Sequence, residues 1–236
     1  MKRSLVISVG ILISIMLTGC VSSHKDKKIT ENTPKTFRQV ANSEKQTIWY
    51  SDNVNEDDDT GKLSIDDAPS IVAVKDGKAI NYGSFSSLTF KKLSKMSDSQ
   101  IIKTAKIEGK KQALHDAKEY EGEDISNLVG ITTGVYRPKA EKIKYVGRMD
   151  SNGNYIKDIY FSLHSPEQTI SKHGKEFKLE ESNDLTANYG YSVFNGKVYT
   201  GFTDNDKFAF VTRVPSKDVK FNPDLKKHKD ITIEQS

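Results

Sequence analysis

Cysteine is all but absent from this chain: one thiol, Cys20, in 236 residues. No internal disulfide can form, whichever compartment the protein occupies. Arginine is scarce as well, 5 residues against 31 lysines, and the cations are balanced by 32 acidic side chains spread along the chain. Nucleic-acid binders gather Arg and Lys on one face to neutralise phosphates and read bases. That pattern is missing, so no nucleic-acid partner is expected. Beyond residue 17 there is no apolar run long enough to cross a bilayer, and the mean hydropathy of −0.61 fits a polar body with a modest core. A phosphate-binding glycine loop, G-x-S-x-G and H-E-x-x-H are all absent.

What is present begins at the N-terminus. Lys2 and Arg3 precede an apolar stretch from Leu5 to Leu17, broken only by Ser8, Gly10 and Ser14, and polar sequence follows at once. A spanning helix needs about 20 apolar residues, so this shorter run reads as a secretory signal. It ends in Leu17, Thr18, Gly19 and Cys20. Small residues beside the scissile bond let an extended backbone enter a peptidase, and a thiol is the best side-chain nucleophile for alkyl transfer.

These twenty residues closely resemble the lipobox signal of bacterial lipoproteins. The resemblance implies cleavage between Gly19 and Cys20 and a diacylglyceryl group on the Cys20 sulfur, which makes the lipid bilayer the first expected partner. Loss of residues 1–19 removes Lys2 and Arg3 and leaves 34 cationic against 32 acidic side chains, a net charge of +2. Two acyl chains hold a protein durably where one gives only reversible binding. Lipidation also takes the one cysteine out of contention as a catalytic group.

From Val21 to Lys45 the composition is rich in Ser, Thr, Lys, Asn and Glu, without apolar period. The expected organisation is therefore a signal peptide over 1–19, a lipidated Cys20 with a disordered tether over 20–45, a globular domain over 46–214, and a charged tail over 215–236 holding at most one edge strand, "ITIE". Within the domain, Asp76-Gly77, Asn152-Gly153, Asn195-Gly196 and Asp204 to Lys207 sit between β-prone runs, the chemistry of tight hairpins. Ser97 and Gln100 have capping-box spacing ahead of a narrow, Ala-rich periodic stripe, which predicts one surface helix over 98–119, kinked or split at Gly109. The fold class is α+β, dominated by antiparallel hairpin-rich sheets.

No residue pattern assigns a catalytic, cofactor-binding or metal-ligating role. Glu56, Asp58, Thr60, Gly61, Ser64 and Asp67 fall at calcium-loop places, but the first and last types are exchanged and no amphipathic helix enters, so residues 56–67 read as a solvated acidic loop. His24, His115, His164, His173 and His228 make no ligand spacing. Adjacent carboxylates such as Asp66-Asp67 or Glu180-Glu181 point to opposite faces of an extended chain and do not converge. By the same alternation some of Trp49, Tyr50, Tyr189, Tyr191, Tyr199 and Phe202 should face outward, where a stripe of them can bind sugar rings or peptides, although most aromatics of a β-domain pack its core.

The lipobox, polar tether, "IWY" strand, and "KDGK" and "NGK" hairpins together look like small surface lipoproteins of low-GC Gram-positive bacteria. That layout implies a location on the outer face of the cytoplasmic membrane and brings no assigned activity; the expected role is a non-enzymatic module binding an envelope protein or wall component. The alternative is a hydrolase of envelope polymers using carboxylates as acid and base, which would show as a cleft holding two of them roughly 5–9 Å apart.

Overall fold

The computed structural model describes residues 34–53, 63–119, 133–172, 175–178, 185–188, 192–195, 199–204, 208–214, 221–223, 225–226 and 228–234. Cys20, the signal segment, His24, His173, Tyr189, Tyr191 and most of the acidic loop lie outside them. In chain order the elements are helix α1 (Phe37–Ala41), strands β1 (Thr47–Asn53), β2 (Ser70–Lys75) and β3 (Lys78–Asn81), helices α2 (Phe90–Leu93) and α3 (Asp98–Glu119), and then eleven strands. These are β4 (Thr133–Arg137), β5 (Ala140–Lys142), β6 (Tyr145–Met149), β7 (Ile156–Leu163), β8 (Glu167–Lys172), β9 (Lys175–Lys178), β10 (Leu185–Asn188), β11 (Ser192–Asn195), β12 (Tyr199–Asp204), β13 (Phe208–Arg213) and β14 (Ile231–Glu234). Antiparallel sheets with few helices make this an α+β fold.

The central sheet has seven strands in the order β11-β12-β13-β1-β2-β3-β5, every neighbour antiparallel. Its middle strands carry unbroken apolar runs, Ile48-Trp49-Tyr50 and Ile71-Val72-Ala73-Val74, because both faces are covered. Alternation sends Trp49, Val72, Val74, Phe202 and Phe210 to one side, where they meet the four-stranded sheet β10-β7-β6-β14 through Tyr145, Ile159, Phe161, Leu163 and Ile231. Ile48, Tyr50, Ile71, Ala73 and Val211 go to the other, against α2, α3 and Tyr136 of β4. A third sheet, β4-β8-β9, runs beside α3.

The turn chemistry accounts for the hairpins. Asp76 and Gly77 both have positive φ, 51° and 70°, and join β2 to β3 with Lys75 directly opposite Lys78. Gly153 likewise sits at φ 69° between β6 and β7. There Asp150 closes the loop, its Oδ1 accepting from the backbone N–H of Asn154 at 2.6 Å and of Tyr155 at 3.0 Å. The pairs β11–β12 and β12–β13 form as the Asn195-Gly196 and Asp204–Lys207 signals predict, with the turn residues 196–198 and 205–207 outside the described set.

Four expectations need correction. The domain does not begin at residue 46: Phe37, in the stretch read as tether, is fully buried and packs on Trp49, Phe161 and Phe210 at centroid distances of 5.0–5.5 Å or less. A Thr36–Gln39 capping box starts its helix, with Thr36 Oγ1 accepting from the Gln39 N–H at 3.2 Å and the Thr36 N–H donating to Gln39 Oε1 at 2.9 Å. The tail supplies the edge strand that "ITIE" suggests, β14 pairing in parallel with β6, but it is not peripheral, since Phe221 and Ile231 join the same core. Gly109 does not break α3, which is continuous from Asp98 to Glu119. A Cβ at position 109 would collide with the Tyr136 ring, so glycine is there to let that ring lie on the helix backbone. Finally, Trp49, Tyr50 and Phe202 form no outward stripe, since with both faces of the sheet covered alternation merely divides them between two cores.

Candidate functional site

The last turn-ward residues of β1 break the rule that governs the rest of the strand. Ile48 and Tyr50 point into the helix-side core and are 4% and 1% exposed. Period-two alternation puts the next member of that row at Asp52, level with Ala209 of β13. A carboxylate thus occupies a position where the pattern calls for an apolar side chain. It opens onto a groove of about 970 Å3 whose walls come from β1, the loop after β3, α3, β4, the segment after β7, β10 and β13.

Asp52 is incompletely satisfied there. Its Oδ1 accepts from the Asn53 N–H at 2.8 Å, whereas Oδ2 is shielded from solvent and has no hydrogen-bond partner. Burial holds its pKa above the ordinary carboxylate value, the Asn53 N–H works against that rise, and the charge of Asp67 reinforces it. Leaving a buried acceptor unmatched costs about 1–3 kcal/mol, more when it is charged. Native folds keep few such groups, and each calls for an explanation.

The surrounding wall is rich in neutral hydrogen-bonding groups: Ser70, Asn81, Ser84, Gln112, Gln168 and Thr186 all line it. Several are pinned by the fold. Asn81 Oδ1 accepts from the Gly83 N–H at 2.8 Å, which fixes a turn where Gly83 has φ 79°, and Asn81 Nδ2 donates to the His164 carbonyl at 3.4 Å. The Tyr136 hydroxyl donates to the Tyr82 carbonyl at 2.6 Å. Burial pushes the phenols of Tyr82 and Tyr136 up, so both stay neutral donors through the physiological range. Among the described lining residues Arg148 is the one cation, and it is engaged, its guanidinium carbon 4.4 Å from the Tyr160 ring centroid and its Nε 3.9 Å from Asp158 Oδ1.

Asp52 is the one carboxylate among the described residues that line the groove. Asp66 and Asp67 lie in a turn rather than on an extended strand, Asp66 3.8 Å from the Lys91 ammonium at the surface. Sequence reasoning found no carboxylate companion for His164, yet the fold supplies one: His164 Nδ1 lies 2.6 Å from Glu141 Oε2, and Glu141 Oε1 accepts the His164 N–H at 3.2 Å. The imidazole is largely exposed, and the described residues hold no group of three or more potential metal ligands. No described helix is long and apolar enough to cross a membrane.

Asp52 escaped the sequence reading although its signal was present. Extending the Ile48, Tyr50 row by two within "IWYSDN" places a carboxylate on a buried face. Gln112, Gln168 and Thr186 carried no such local mark, because only tertiary folding brings them to the same groove. Comparison with known protein families, curated proteins and solved structures gave no match.

Proposed function

We propose that this chain is a lipid-anchored protein of the outer membrane face whose domain binds an envelope ligand in the groove beside Asp52. The carrying observation is a groove of about 970 Å3 beside Asp52 whose described wall is built of amides and hydroxyls, Ser70, Asn81, Ser84, Gln112 and Gln168 among them, which supports recognition of a ligand bearing hydroxyls or amides.

Anchoring rests on the Leu17-Thr18-Gly19-Cys20 pattern, with the bilayer held through diacylglyceryl-Cys20 and an envelope protein or wall component as the second partner. Residues from Lys35 onward are built into the fold, so the stretch expected to link it to Cys20 is shorter than residues 21–45.

Fractionation of cells expressing Cys20→Ala tests the anchor: the variant is expected to stay unprocessed or leave the lipid-modified membrane pool. If it is processed and partitions as the wild type does, the anchor is wrong. Groove occupancy is tested separately by Ser84→Trp, which fills the wall without touching the core; envelope material crosslinked to the wild type on intact cells should be lost. Unchanged crosslinking would remove the groove from the reading and leave the anchor standing.

A further inference from the structure

Beyond the groove and the anchor, and resting on neither, the outer face of α3 carries a charge arrangement that the fold itself does not need. Lys103, Lys106 and Lys110 are all exposed and follow one another at helical steps of three and four. The positions three and four residues away from each hold Ser, Gln, Ile, Gly, Ala, Leu or another of these lysines, never an acid. Like charges at that spacing work against a helix. The acids of α3 whose side chains are described are engaged elsewhere: Asp98 lies 3.5 Å from Arg213, Glu108 accepts from Lys111 Nζ at 2.7 Å and from Ser87 Oγ at 2.9 Å, and Asp116 accepts from Gln112 Nε2 at 2.6 Å. Cations that are spread along the sequence are thus gathered by the helix onto one surface.

Ile107 decides what kind of partner that surface fits. It is 44% exposed, and its helical neighbours at −4, +3 and +4 are Lys103, Lys110 and Lys111. A soluble polyanion matches the ammonium groups and leaves the isoleucine in water. A bilayer matches both, its phosphodiesters meeting the ammoniums while the isoleucine and the lysine stems rest at the headgroup boundary. From Lys103 to Lys111 the uninterrupted helix runs about 12 Å, and its convex face suits a flat partner better than a ligand that needs enclosure.

We propose that the outer face of α3 docks on an anionic lipid surface, with Lys103, Lys106 and Lys110 on the lipid phosphates and Ile107 at the interface.

Lysine footprinting of the full chain tests this. The protein is mixed with preformed vesicles of phosphatidylcholine alone or of equal parts phosphatidylcholine and phosphatidylglycerol, acylated with a water-soluble amine reagent, and read site by site by mass spectrometry. A lysine near an anionic membrane gains roughly fivefold in partition, so Lys103, Lys106, Lys110 and Lys111 should be labelled at least fivefold more slowly on the anionic vesicles, and salt at about 1 M should restore their labelling. Lys78 and Lys142, exposed on the β3–β5 pair, should be labelled alike on both. The combined variant Lys103→Glu, Lys106→Glu, Lys110→Glu, with unchanged thermal unfolding, should lose the protection of Lys111. Ile107→Ser should weaken protection without altering charge, and protection untouched by it overturns the seat given to the isoleucine. Equal labelling of the α3 lysines on the two vesicle types, or protection spread equally over Lys78 and Lys142, overturns the proposal. Protection by inorganic polyphosphate but not by the anionic vesicles assigns the face to a soluble polyanion and overturns the membrane as its partner.

Discussion

The two faces of the seven-stranded sheet are both dry, but they are filled by opposite means. On the side of the four-stranded sheet, large rings interlock: Phe37 stacks on Phe161 at 5.1 Å, Trp49 on Phe210 at 4.9 Å, and Phe221 meets Trp49 edge-on at 5.3 Å. On the helix side, small residues make room. Ala105, Gly109 and Ala113 recur every four positions on α3, and Tyr136 lies across them with its hydroxyl tied to the Tyr82 carbonyl. A sheet partner presents alternate side chains at strand spacing and takes bulk from both layers. A helix lies closer to the sheet only where its own side chains are minimal. The first face should therefore suffer when bulk is removed, the second when bulk is added.

Three substitutions sharpen or break that contrast. Phe37→Ala removes a ring that meets those of Trp49, Tyr145, Phe161 and Phe210 and should destabilise by about 3–5 kcal/mol, measured by denaturant unfolding followed through the single tryptophan. A loss below about 1 kcal/mol would mean that α1 is an appendage rather than part of the core. Gly109→Ala reverses the usual sign: a mid-helix glycine replaced by alanine gains about 1 kcal/mol, whereas here overpacking against Tyr136 should cost about 1–3 kcal/mol. Stabilisation by this variant would show that the ring moves freely and that the small-residue account is mistaken. Tyr136→Phe keeps the ring and leaves the Tyr82 carbonyl unmatched, so thermal unfolding should register about 1 kcal/mol, less than either of the first two.

The smallest effects come from two carboxylates of opposite sign. Asp52 has its pKa raised by burial, so folding takes up a proton there. The stability attached to the protonated group is full below the unfolded-state pKa of about 3.9 and falls as pH rises through the elevated native value. Asp150 is the reverse, its pKa lowered first by the Tyr155 N–H and also by the Asn154 N–H. Its contribution is present above the unfolded-state pKa and is lost as pH drops through the native one. Stability differences between wild type and variant, tracked across the acid range, should thus shift toward Asp52→Asn as pH rises and toward the wild type for Asp150→Asn. Parallel profiles for the two variants would contradict the assignment of their environments.

How far the sequence disclosed this architecture follows from the range of each interaction. Helix α3, with its Ser97–Gln100 box, and the Asp76-Gly77 and Asn152-Gly153 hairpins are set by residues within a few positions of one another, and they were readable. Phe37 was not, because one apolar ring amid polar neighbours has no period, although the Thr36–Gln39 spacing offered a clue. The parallel pairing of β14 with β6 depends on contacts some 86 residues apart, Ile231 facing Tyr145, and no local pattern encodes it. Asp52 lay between these cases: its strand and parity were legible, but the groove beside it required segments from at least ten places in the chain.

One feature of the fold bears on time rather than space. Arg38 pairs with Asp230 across 192 positions, Lys35 bridges Phe221, and Phe37 shares a core with Ile231. The ribosome makes α1 first and its partners last, so the opening helix has no complete docking site until β14 has emerged. The chain is sealed by its final segment, and a nascent molecule carrying everything but that segment should remain protease-sensitive at Phe37. Late closure of this kind keeps the chain extended and threadable until nearly all of it has been made.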